Sequence, residues 1–131
     1  KDYGNDFSQN VQIYQSEKFK GKTPKEVSYY NRLVWTTEAK DISSSVSVMR
    51  DEMFKNHFAC GVFIGGMDGI IDEAKRFHNA NPKSEMIVAP NTGGAASVLS
   101  KRTGFDYIQI PDTYAYVSEF KRLLKKYHNV I

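Results

Sequence analysis

The stretch "FIGGMDGIIDE", residues 63–73, decides the reading of this chain. An apolar run ends at Ile64, and Gly65, Gly66 and Gly69 then interrupt it. Carboxylates follow at Asp72 and Glu73, where a helical pattern starts. A strand running through a glycine turn into a helix is the first half of a parallel β–α–β unit, and ligands of such sheets bind beyond the carboxyl ends of the strands. Glycine in that turn lets backbone approach a ligand, and the first N–H groups of the helix offer donors and a positive dipole end to an anion. The turn therefore predicts a phosphate-binding position formed by Gly65, Gly66, Met67, Asp68, Gly69 and Ile70, the alternative being a tight turn that holds no ligand.

Outward from it the same alternation repeats. Strand patterns fall at "VQIYQ" (11–15), "RLVWT" (32–36), "GVFIG" (61–65), "MIVA" (86–89) and "YIQI" (107–110). Helical spacing lies between most of them. It joins Val46, Met49, Met53 and His57 within 43–58, and Ile70, Ala74, Phe77 and His78 within 69–80. A last helix is expected to bury Val117, Phe120, Leu124 and Tyr127. Pro82 ends the second helix, because the residue before a proline avoids helical geometry. The pattern predicts an α/β, doubly wound fold: a mainly parallel sheet of about five strands with helices on both faces.

Length and composition fit one domain spanning 1–131 with a packed core, since 40% of the 131 residues are hydrophobic and eight Tyr and eight Phe are present. The net charge of +3 comes from interspersed charges, which argues for a solvated surface and against a nucleic-acid footprint. The one basic run, "KRLLKKYH" (121–128), is read as the solvated side of a helix. Cys60 is the only cysteine, so no internal disulfide can form. It reads as a small buried residue. No stretch is long and apolar enough to span a membrane and no signal pattern is present, so a cytoplasmic protein without a membrane partner is expected. The chain starts at Lys1 without Met, which suggests a fragment or processed product. The polar first ten residues read as an irregular lead-in.

A second glycine turn, "PNTGGAAS" (90–97), follows the "MIVA" strand and opens another short helix, adding Thr92, Gly93 and Gly94 to the same expected rim. Gln15 and Ser16 in "YQSEKF" (14–19) end a third strand, where they are expected either to supply polar contacts to a ligand or to serve as loop polar groups. Arg50, inside "VMRDEM" (48–53), lies at the border of a helix's buried stripe. There it suits either a surface ion pair or bidentate contact with phosphate or carboxylate. Glu73, in the first turns of its helix, interacts favourably with the dipole by about 0.3–1 kcal/mol. It could also hold ribose hydroxyls or act on a glycosidic bond.

"MRDEM" followed by "GVFIGGMDGIIDE" and then "TGGAA" resembles, in that order, the arginine helix, PGGxGTxxE turn and later glycine turn of the LOG-type phosphoribohydrolases, also called lysine decarboxylase-like proteins. More broadly it resembles the SLOG superfamily of Rossmann-like domains. The resemblance runs from about Val11 onward. It implies that Arg50 and Glu73 correspond to the catalytic arginine and glutamate, and Gly65, Gly66 and Gly69 to the phosphate-binding glycines. The turn departs from the hydrolase pattern: Ile64 replaces the proline, and "MDGI" is one residue longer. The family's first strand, with its own glycine-rich loop, is expected upstream of "VQIYQ", so the chain is expected to lack it or to be cut from a longer one, its bare edge covered by the lead-in or a partner copy. The "GGMxGI" style of turn is similar to that of SLOG sensor domains in prokaryotic defence systems. The resemblance thus implies binding of a nucleotide or nucleotide-derived signal by a homo-oligomer that regulates a fused or neighbouring effector, with no cofactor and no metal. The alternative it carries is an N-glycosidase acting on nucleoside monophosphates.

Overall fold

The computed structural model describes residues 10–112 and 115–127. The expected lead-in falls outside the described residues except for Asn10, and so does any covering of the first sheet edge by that segment. The elements that lie wholly among the described residues are five strands, β1 (Gln12–Ser16), β2 (Arg32–Thr36), β3 (Cys60–Ile64), β4 (Glu85–Ala89) and β5 (Tyr107–Gln109), and four α-helices, α1 (Ile42–Met53) after β2, α2 (Gly69–Ala80) after β3, α3 (Gly94–Leu99) after β4 and α4 (Tyr116–Leu124) after β5. The protein is α/β and Rossmann-like, and every strand pairing is parallel. The five strands are divided between two sheets, β1-β2 and β3-β4-β5. The chain packs as two compact units, one through Asn56 and one from His57 onward.

In the first unit β1 and β2 pair from Gln12–Arg32 to Ser16–Thr36. Parallel neighbours need a long connection. Here two 3-10 turns, Glu17–Phe19 and Lys25–Tyr29, supply it in place of a helix. α1 packs against both strands. Its start is fixed by Asp41, whose carboxylate accepts the Ser44 N–H at 2.7 Å. The buried Ser45 hydroxyl donates to the Asp41 carbonyl at 2.7 Å and accepts the Ala39 N–H at 2.9 Å. The helix is shorter than its spacing predicted. Phe54 caps it, and exposed His57 lies beyond it, because Val46, Met49 and Met53 are only half-buried and give no apolar stripe to prolong it.

In the second unit the strand register sorts side chains by face. Phe63 lies beside Val88 on one face, while Ile87 lies beside Ile108 on the other. α2 covers the first face: Phe77 meets Phe63 edge-to-face at 5.9 Å, a pair worth about 0.5–1.5 kcal/mol beyond its area. Gly61 is glycine for this reason, since a Cβ there would stand 3.0 Å from the Phe77 ring. α4 covers the second face, where Leu123 joins Ile87, Ala89 and Ile110, with Tyr116, Phe120, Leu124 and Cys60 packed against them. Helices therefore lie on both faces of this sheet.

The last helix is rotated from its expected orientation: Leu123 is the buried residue and Val117 stays 69% exposed, while Tyr127 belongs to a following 3-10 turn. Tyr116 and Leu123 match the spacing of a buried stripe as well as Val117 and Leu124 do, and contact with Ile87 and Ile110 selects them. α2 ends at Ala80 as expected, but the buried Asn81 does more than precede a proline. Its Oδ1 accepts the Phe58 N–H at 3.0 Å, tying the helix end to the segment entering β3.

Candidate functional site

All three strands of the second sheet run the same way, so the segments leaving β3, β4 and β5 share one edge. β3 leaves through Gly65 and Gly66, whose φ angles of +54° and +77° lie in the left-handed region that favours glycine. β4 leaves through a 3-10 turn at Pro90–Thr92 into Gly93, Gly94 and α3. The two glycine turns are bound directly to each other. Ala95 N–H donates to the Gly66 carbonyl at 2.9 Å and Ala96 N–H to the Gly65 carbonyl at 3.0 Å. Thr92 completes the clasp: its hydroxyl accepts the Gly65 N–H at 2.7 Å and donates to the Ala89 carbonyl at 2.6 Å.

This clasp redistributes the expected anion donors. Two of the first N–H groups of α3, on which a second anion-facing helix start would depend, are taken by carbonyls of the other turn: those of Ala95 and Ala96. The start of α2 is different. Asp68 occupies its cap position in helical geometry with no side-chain hydrogen bond to the helix, and the first bonds run from Ile70 N–H to the Met67 carbonyl and from Ile71 N–H to the Asp68 carbonyl. Among the described residues the N–H groups of Met67, Asp68 and Gly69 have no protein partner. Met67 and Asp68 are exposed, Met67 to 86%. Three adjacent donors at the positive end of a 12-residue helix are suited to a phosphate or carboxylate.

Glu73 follows in the second turn of α2, half-buried, while its neighbour Asp72 is held by Arg76 one turn later at 2.8 Å. At the end of β5, Asp112 accepts a 2.5 Å hydrogen bond from the Asn91 amide. This pair belongs to the same edge; Asn91 lies inside the second glycine turn, but Asp112 follows β5 outside any motif, so nothing in the sequence pairs them.

Gln15, Ser16 and Arg50 belong to the first unit. Ser16 is fully buried and accepts the Lys18 N–H at 3.3 Å, capping the 3-10 turn after β1; the Gln15 side chain accepts the Ser16 N–H at 3.1 Å. Arg50 is half-buried near the end of α1, and its carbonyl accepts the Phe54 N–H at 2.9 Å. The second unit thus brings together both glycine turns, Thr92 and the start of α2, each positioned by its own strand.

The opposite edge of the second sheet carries a separate polar cluster. Glu85, opening β4, is bonded by the Lys126 ammonium and by the Tyr127 hydroxyl, the latter at 2.7 Å. These bonds, Lys126 first, hold the Glu85 carboxyl below its ordinary range. Burial, and then the bond to Glu85, push the Tyr127 phenol up. Burial also raises the thiol of Cys60, which is half-buried. Among the described residues no three His, Cys, Asp or Glu side chains stand together as a cation site, and no helix is long and apolar enough to cross a membrane.

A parallel α/β chain with glycine turns at its carboxyl strand ends and an open helix start falls in the class of Rossmann-like domains. Within that class the family model of the SLOG cluster3 family matches residues 1–124, and the chain belongs to that family. No curated protein and no solved structure matches it.

Proposed function

We propose that this chain binds a nucleotide or nucleotide-derived signalling molecule at the carboxyl edge of the β3-β4-β5 sheet, with a phosphate on the start of α2, and that binding regulates an effector. One observation carries the reading: Met67, Asp68 and Gly69 present three consecutive N–H groups without protein partners, at the positive end of α2. The clasp between the glycine turns supports it. By fixing Gly65 and Gly66 it holds those donors in place before a ligand arrives, which lowers the ordering cost of binding. Membership of a SLOG family supports the nucleotide class. Glu73 would then serve as an acceptor for ribose hydroxyls.

The test is a thermal-shift screen of nucleoside monophosphates, NAD, ADP-ribose and cyclic ADP-ribose isomers, followed by amide chemical-shift mapping of any binder. A ligand at 100 times its dissociation constant should stabilise the fold by about 2.7 kcal/mol. The largest amide shifts should fall on Gly66–Gly69, and chromatography should return the ligand intact. Shifts confined elsewhere would remove the proposed site. Steady release of free base, lost in Glu73→Gln, would replace the sensor by a glycosidase.

A further inference from the structure

We propose that the outer side of α4 docks an acidic amphipathic helix of a partner protein. Val117, Phe120, Lys121, Leu124 and Lys125 recur at helical spacing and line a groove of about 510 Å³ on the C-terminal unit. Its floor is apolar. Phe120 and Leu124 have one side in the core against Ile87 and Ile110, and Val117 is 69% exposed. The charges beside it are not neutralised. Arg122 is paired with Glu119 at 2.8 Å and Lys126 with Glu85, whereas exposed Lys121 and Lys125 form no ion pair among the described residues.

An apolar groove flanked by two ammonium groups selects a ridge of apolar side chains flanked by carboxylates, the pattern of an acidic helix lying in a groove. A second copy fits less well, because pairing this side of α4 with itself sets Lys121 and Lys125 against their own counterparts. A lipid surface also fits less well. Insertion needs a protruding apolar face, and here Phe120 and Leu124 are half-buried beneath a groove, leaving Val117 alone to enter a bilayer.

The probe is a fluorescein-labelled synthetic helical peptide with leucines along one face and glutamates on its flanks, followed by anisotropy. Saturable binding that weakens with added salt is expected, reduced about tenfold or more by Lys121→Glu with Lys125→Glu and by Val117→Asp. Melting temperatures should stay unchanged, since all three side chains are exposed. The proposal is overturned by absent saturable binding, or by equal binding of the same peptide with lysines in place of glutamates. A dimer in light scattering that Val117→Asp abolishes would overturn it in favour of a second copy. Co-sedimentation with phosphatidylserine vesicles that the same change abolishes would overturn it in favour of a membrane.

Discussion

Gly94 and Gly66 stand so close that a Cβ built on Gly94 would fall well within 3.0 Å of the Gly66 carbonyl oxygen. The neighbour there is backbone, not the end of a flexible side chain, and it cannot swing aside without breaking the bonds from Ala95 and Ala96. Gly94 also has a φ of +56°. Gly94→Ala should therefore add a steric clash to the strain of about 1–3 kcal/mol that a side chain meets in such backbone regions. Gly93 is the control: its φ is +75°, yet a Cβ there meets nothing within 4 Å. Urea unfolding should show a clearly larger loss for Gly94→Ala than for Gly93→Ala. Equal losses would mean that the clasp is not the reason for the glycine.

Thr92 joins the two turns through its hydroxyl. Thr92→Val keeps the shape but leaves the Gly65 N–H and the Ala89 carbonyl without that partner, at a cost of about 1–3 kcal/mol. Thr92→Ser should keep most of the stability. Hydrogen exchange at the Gly65 amide is the direct readout. It should speed up in the valine variant, and an unchanged rate would show that the bond does not hold in solution.

Phe77 is 3% exposed and touches Phe63 and Phe58. Phe77→Ala should cost about 3–5 kcal/mol, as expected for deleting a large buried ring. A loss below about 1 kcal/mol in chemical denaturation would place this ring outside the cooperative core.

The Glu85–Tyr127 pair predicts two limbs of pH dependence. The Glu85 carboxyl is lower in the fold than in the unfolded chain, so its contribution is present above about pH 4.3 and is lost as pH falls through the lower folded value. The Tyr127 phenol is raised, so its contribution is present below about pH 10 and is lost as pH rises through the higher folded value. Tyr127→Phe should cost about 1 kcal/mol or less at neutral pH and flatten the alkaline limb. Glu85→Gln should flatten the acid limb. Urea midpoints measured from pH 3 to 11 that keep both limbs in the variants would show that other groups cause them.

The order of elements was legible in the sequence because the strand and helix periods differ. β-branched runs at 32–36 and 86–89 set β2 and β4 almost to the residue, and the 69–80 spacing set α2 with both its ends. Gly65 and Gly66 were legible too, since a strand that must turn with positive φ into a helix has little choice but glycine. Local sequence fixes such features because each depends on the chain within a few residues.

Tertiary structure decided what the local pattern leaves degenerate. Several stripes of the last helix satisfy helical spacing, and contact with Ile87, Ala89 and Ile110 chose the one that buries Leu123 and leaves Val117 outside. Each glycine turn alone offers its backbone to any close neighbour. Packing of α3 beside α2 made the neighbour of Gly94 the Gly66 carbonyl and occupied the Ala95 and Ala96 N–H groups, and so left the run of three adjacent open donors at the start of α2. A hydrogen bond between residues almost thirty positions apart has no signature at either end. It exists only when the sheet has brought the ends of β3 and β4 side by side.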